Sequence, residues 1–130
     1  MNLLIHIEIN KINNLHFHKE ILKWASVRFP ELVIFDFDNH SDTFIVDSAL
    51  KLSREAEKIF LIIEVESAEE GAGGVIKFLN ALLRFKLKNI LIILHGNHDV
   101  VLKMIHAFPA YYLDMDLAAQ KEKLEVFFTA

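Results

Sequence analysis

Two apolar runs, IFLIIEV at residues 59–65 and NILIIL at residues 89–94, decide how this chain folds. Both are short, continuous rather than alternating, and rich in β-branched residues. That pattern belongs to strands covered on both faces in the middle of a parallel sheet. Parallel neighbours cannot be joined by a tight turn and need a crossover, normally a helix. The residues between the runs supply one: Val75, Ile76, Leu79, Leu82 and Leu83 recur at helical spacing, and the stripe ends near Arg84, Lys86 and Lys88, basic residues that suit a helix C-terminus.

The same alternation extends in both directions. Leu3 to Ile9 is a β-rich stretch, and after the polar break at residues 10–14 a helical spacing of Leu15, Ile21, Leu22, Ala25 and Phe29 runs to Pro30. Residues 31–37, ELVIFDF, read as a second strand, followed by the turn-forming string Asp38, Asn39, His40, Ser41 and Asp42. Ser41 or Asp42 then caps a helix with Ile45, Ala49, Leu52 and Ala56 on one face and Lys51, Arg54, Glu55 and Lys58 on the other. Beyond residue 94, Val101, Met104, Ile105 and Phe108 mark a short helix that stops at Pro109. Residues 110–115 form a fifth strand, and residues 117–128 a closing helix built on Leu117, Leu124, Phe127 and Phe128.

Strand alternating with helix, without internal repeat or linker, implies right-handed crossovers and one domain over residues 1–130. The expected architecture is a three-layer α/β/α sandwich around a five-stranded parallel sheet. Five strands fit the flavodoxin-like order 2-1-3-4-5, with Ile62, Ile63, Ile92 and Ile93 among the most buried residues.

Composition narrows the function classes. Hydrophobic residues make up 53% of the chain and charged residues 25%, a mixture that folds unaided. The net charge of −4 and the lack of any Lys/Arg stripe exclude nucleic acid as the expected partner. The chain has no cysteine, which rules out disulfides and thiolate metal ligation and makes the cytoplasm the default compartment. The first residues, MNLLIHIEINKINN, lack the features of a signal peptide, and no apolar run is long enough to span a membrane, so a soluble protein without membrane contact is expected.

In an open parallel sheet, ligands bind beyond the carboxyl ends of the strands. The residues expected there are Glu8 and Asn10, Asp38, Glu64 with Glu66 and Ser67, His95 with Asn97 and His98, and Asp114 with Asp116. Carboxylates and imidazoles are metal ligands in principle. Strand ends are nevertheless polar in any such fold because turns and caps need these residue types, so no metal is expected. The one glycine-rich loop, residues 67–74 (SAEEGAGG), opens a helix whose free N–H groups suit an anion, and it brings Ser67, Gly71 and Gly73 into a candidate ligand site.

Four family patterns bear on particular residues. Gly96, Asn97, His98 and Asp99 after an apolar strand resemble a segment of metallophosphoesterases. That family also needs D-x-H at its first strand and GD-x-x-D elsewhere. Here His6-Ile7-Glu8 stands at the first position and no Gly-Asp pair occurs, so the string reads as a turn with Asp99 capping the next helix. A likeness to two-component receiver domains would require an acidic pair after strand one, an aspartate after strand three and a lysine after strand five. A likeness to flavodoxins would require a Ser/Thr/Gly loop at residues 9–14, which read INKINN. Neither set is present, so no phosphoacceptor, flavin or other cofactor is expected. Residues 57–66, EKIFLIIEVE, followed by Glu69 and Glu70, are similar to a stretch of nucleoside 2-deoxyribosyltransferases and TIR-like domains, whose catalytic glutamate lies near the start of the next helix. That resemblance implies a nucleotide or sugar-phosphate substrate with Glu66, Ser67, Glu69 or Glu70 as working residues, but the D-x-G-T-x-x-E pattern of the transferases is missing.

The chain carries 11 phenylalanines, and Phe17, Phe44, Phe85, Phe127 and Phe128 fall at or beyond the edges of the apolar stripes. Neighbouring residues on a helix point about 100° apart. One of Phe127 and Phe128 is therefore expected to need a cover from outside the domain, most simply in a homodimer or against a protein partner. The leading expectation is accordingly a regulatory or non-catalytic module acting by association, with the small-molecule enzyme as the alternative.

Overall fold

The computed structural model describes residues 1–85 and 89–130. Among these residues the strands are β1 (Asn2–Ile9), β2 (Val33–Asp38), β3 (Lys58–Val65), β4 (Ile90–His95) and β5 (Tyr111–Leu113). The helices are α1 (Glu20–Arg28), α2 (Thr43–Glu55), α3 (Gly74–Arg84), α4 (Asp99–Ile105) and α5 (Leu117–Thr129). Every strand pair is parallel and the order is β2-β1-β3-β4-β5, the flavodoxin-like arrangement. No helix among the described residues is long and apolar enough to cross a membrane.

Strand alternation sorts the core into two layers. Leu3, Ile5, Ile7 and Ile9 of β1 and Ile59, Leu61 and Ile63 of β3 face α2, α3 and α4, where they meet Val46, Val75, Phe78, Leu79, Val101 and Ile105. Leu4, Phe60, Ile62 and Ile93 face α1 and α5 through Ile21, Ala25 and Leu124. Ile62, Ile63, Ile92 and Ile93 are all fully buried.

Several local readings are corrected. Helix α1 begins at Glu20 rather than near Leu15, because the backbone before it is bonded elsewhere: Ile12–Asn14 is a 3-10 turn, and His16 N–H points back to Glu8. On α2 the buried stripe is Val46, Ala49, Leu50 and Ser53, with Ile45, Leu52 and Ala56 on its half-buried flank; Ser53 is tolerated because its hydroxyl bonds the Ala49 carbonyl at 2.8 Å. The cap of α4 is His98 and not Asp99, which is the first helical residue. The His98 Nδ1 accepts from Val101 N–H, and its Nε2 donates to the Glu70 carbonyl at 2.9 Å, tying two loops together. Asp42 caps α2 as read, and Asp116 caps α5. Strand β5 covers three residues, and the next one, Asp114, turns the chain away with φ 54°. Lys86 and Lys88, expected at the end of α3, lie outside the described residues; Arg84 occupies its last turn.

The two closing phenylalanines both reach the sheet of their own chain. Helix α5 stays intact through Thr129, and both Phe127 and Phe128 are half-buried against their own sheet. Their rings stand 5.6 and 6.1 Å from that of Phe60, and Phe128 also meets Phe29 at 5.7 Å. One large inward ring on β3 thus receives two neighbours that point in different directions. Phe85 packs on the core under Arg54, whereas Phe17 and Phe44 remain 92% and 76% exposed.

Candidate functional site

On the face covered by α1 and α5, the central strands change character toward their carboxyl ends. Leu4 is followed two residues on by His6 and then Glu8, while Phe60 and Ile62 are followed by Glu64. The strand pairing places Glu8 beside Glu64, and Glu64 beside His95. Polar groups therefore collect at one corner of an otherwise apolar layer.

Glu8 is the centre of this corner and only 1% exposed. Its Oε1 accepts from His16 N–H at 3.0 Å, and its Oε2 accepts from Asn10 Nδ2 at 3.0 Å and lies 2.6 Å from His16 Nδ1. Burial by itself would raise this carboxyl, but the bonds from Asn10 and His16 outweigh it and hold Glu8 below the ordinary carboxylate range. The carboxylate in turn raises His16 above the usual imidazole value, chiefly through the direct hydrogen bond. The His16 side chain is 57% exposed, so its second nitrogen is within reach of a ligand. Lys19 reaches in from the lead of α1, 3.0 Å from Asp36 and 4.0 Å from Glu8.

A cleft of about 210 Å³ opens above this pair, lined by Glu8, His16, His18, Lys19, Glu20, Glu64, Glu66 and Leu117. Beneath it lies His6, 1% exposed, with neither ring nitrogen hydrogen-bonded among the described residues. Its Nε2 stands 3.5 Å from Glu64 Oε1, an electrostatic approach rather than a formed bond. This proximity holds Glu64 below the ordinary carboxylate range despite partial burial. A buried polar atom without a partner costs roughly 1–3 kcal/mol.

The candidates from sequence separate into two groups. Glu8 and Glu66 line the cleft, and Asn10 holds Glu8 from below while its Oδ1 accepts from Lys11 N–H. His95 is exposed at the end of β4, beside Glu64. Ser67, Glu69, Glu70, Gly71 and Gly73 belong instead to the loop entering α3, which packs on the β2–α2 turn. Asn39 joins the two, its Oδ1 accepting from Asn10 N–H and its Nδ2 donating to the Gly71 carbonyl. At Gly73, with φ 55°, a Cβ would stand 2.1 Å from the Asn39 carbonyl oxygen, so this glycine serves a close approach of backbone to backbone. Asp38 accepts from His40 N–H within the same turn. Asn97 lines a separate hollow with Gly96, Leu113 and Asp114.

His6, His16 and Lys19 were not expected at the site, whereas Glu64 stood among the residues placed at the strand ends. The equal parity of His6 and Glu8 on a buried strand was a usable signal. The return of His16 onto Glu8 had none, because it depends on where the chain travels after β1. Among the described residues no three His, Asp or Glu side chains converge as a metal site would require. In comparison with known proteins, the chain matches no family model, no curated protein and no solved structure.

Proposed function

We propose that this chain is a cytoplasmic small-molecule enzyme of the acid–base class, with His16 transferring the proton and Glu8 positioning it. The observation that supports this reading is the buried Glu8 carboxylate, 2.6 Å from Nδ1 of a half-exposed histidine that lines an open cleft. A carboxylate fixed on one nitrogen selects the tautomer that leaves the other as the base. Glu8 itself is saturated by its three donors and suits positioning rather than attack. Glu66, named by the likeness to nucleoside 2-deoxyribosyltransferases, lies in the same cleft and faces the substrate. Of the nucleotide or sugar-phosphate class implied there, the sugar or nucleoside part suits this cleft. The glycine-rich loop that suited an anion is packed against Asn39.

Ring-nitrogen NMR tests the reading. His16 is expected to carry its proton on Nδ1 and to titrate above 6.5, the ordinary value. The opposite tautomer, or titration at or below that value, would sink it. Where a panel of sugars, nucleosides and amines reveals turnover, His16→Gln is expected to abolish it.

Phe17, in the segment leading to α1, and Phe44, on α2, are both exposed and favour a second reading, a module that associates with itself or a protein partner through these rings. Sedimentation of wild type beside Phe17→Ser, Phe44→Ser tests the self-association: a monomeric wild type at tens of micromolar rules it out.

A further inference from the structure

The groups around the cleft are unequally engaged. Glu8 is saturated by Asn10 and His16, and Lys19 is drawn to Asp36. What remains toward the opening is Glu64 and Glu66, with no hydrogen-bond donor assigned to either carboxylate among the described residues, and the His16 ring. Below Glu64 sits the buried His6 ring, whose unpartnered Nε2 is aimed at Glu64 Oε1 from 3.5 Å. Glu64, Glu66 and the acceptor nitrogen of a neutral imidazole all want donors.

We propose that this cleft receives the protonated amine of its substrate, an organic ammonium group held by Glu64 and Glu66 beside His16. The proposal rests on the cleft being the working site and adds the chemistry of what enters it. An ammonium is a compact group with three donors and no acceptor, the complement of the unengaged atoms. A phosphate or carboxylate is the reverse and would meet like charge from Glu64 and Glu66. A divalent metal needs ligands converging on one point, an arrangement absent from the described residues. The volume of about 210 Å³ admits a small amine rather than a polyamine or peptide. His6 gives Glu64 a second neighbour from beneath, so that the carboxylate is steadied without a permanent salt bridge that an incoming ammonium would have to displace.

The test uses n-butylamine on the intact chain at pH 7, with n-butanol, butyrate and Zn²⁺ as competing probes, read from the ring resonances of His6 and His16. Saturable shifts with butylamine alone are expected, weakened at least ~10-fold by Glu64→Gln, Glu66→Gln, as for loss of partnered charge. Both positions border the cleft, and the amide spectrum elsewhere reports whether the variant keeps its fold; Glu66→Gln alone, at an exposed site, is the fallback and should also weaken binding. The proposal is overturned if butylamine gives no saturable shift, if butanol or butyrate shifts the same rings as strongly, if Zn²⁺ acts at lower concentration than the amine, or if the folded variants bind as tightly as wild type. A His16 ring in the wrong tautomer with intact amine binding defeats the acid–base reading alone, and a correct tautomer without amine binding defeats this inference alone.

Discussion

Replacing Glu8 by glutamine changes one atom and tests how this corner is held together. The carboxylate accepts three bonds, from His16 N–H, Asn10 Nδ2 and His16 Nδ1. Glutamine offers one acceptor oxygen, so its amide nitrogen must face a donor whichever way it turns. Asn10 cannot flip to help, because its Oδ1 is engaged by Lys11 N–H and its Nδ2 also serves the Asn14 carbonyl. One buried donor is thus orphaned, at roughly 1–3 kcal/mol, and the surviving bonds lose their charge assistance, about 1 kcal/mol more. The expected loss is about 2–4 kcal/mol, which for a urea slope of ~2 kcal/mol per molar moves the midpoint down by about 1–2 M. Acid should erase the difference. Since Glu8 titrates below its unfolded value of 4.5, its contribution is complete above that value and disappears as the pH falls through the lower folded one. Urea titrations of both proteins at pH 7 and in a series down to pH 3 supply the comparison. A variant within ~0.5 kcal/mol of wild type at pH 7, or a gap that persists undiminished in acid, refutes the bonding described here.

The remaining predictions concern the partner histidine and the packing. His16 has its pKa raised, so its contribution to stability is present below about 6.5 and is lost as pH rises through the higher folded value; Glu8→Gln should return the ring toward 6.5 in an NMR titration. Gly73→Ala and Gly96→Ala should each cost at least about 1–3 kcal/mol of stability from the positive-φ backbone, with a Cβ also meeting a backbone oxygen at 2.1 and 2.3 Å, while Gly71→Ala, with open space around it, should be near neutral in the same urea titrations. Phe60→Ala should cost about 3–5 kcal/mol by denaturant unfolding, because two further rings lose their support. Phe127→Ser, Phe128→Ser should destabilise the chain in the same assay while leaving its sedimentation unchanged; a variant that instead shifts the association state would restore the outside contact that the sequence suggested.

What was readable from the sequence is what local chemistry controls. Continuous apolar runs identified β3 and β4, and aspartates ahead of an apolar stripe identified the cap of α2, because strand burial and capping act over a few residues. The start of α1 was misplaced because His16 is bound to Glu8, eight residues back, and that bond competes with helix formation. His98 was passed over as a cap because an imidazole rarely serves as one; its second nitrogen is engaged by Glu70, far away in the chain. Phe127 and Phe128 seemed incompatible on a helical wheel, which omits the size of the ring beneath them. At the candidate site, Glu8 and Glu66 were visible as polar residues ending apolar strands. Their meeting with His16 and Lys19 was not, since it requires knowing which side of the sheet the following segment crosses.

The central place of β1 bears on how the chain acquires its structure. Leu3 through Asn10 is buried at every residue, yet β1 pairs on one side with β2 and on the other with β3, Asn2 standing opposite Lys58. During synthesis this strand emerges well ahead of both neighbours, and closing a loop of that length carries an entropic cost before any contact rewards it. Until β3 arrives, an apolar segment with an uncompensated histidine and glutamate remains open to water. Those two polar residues then have a kinetic side: they interrupt a run that would otherwise be uniformly sticky, and they keep a nascent strand dispersed until its partners are made.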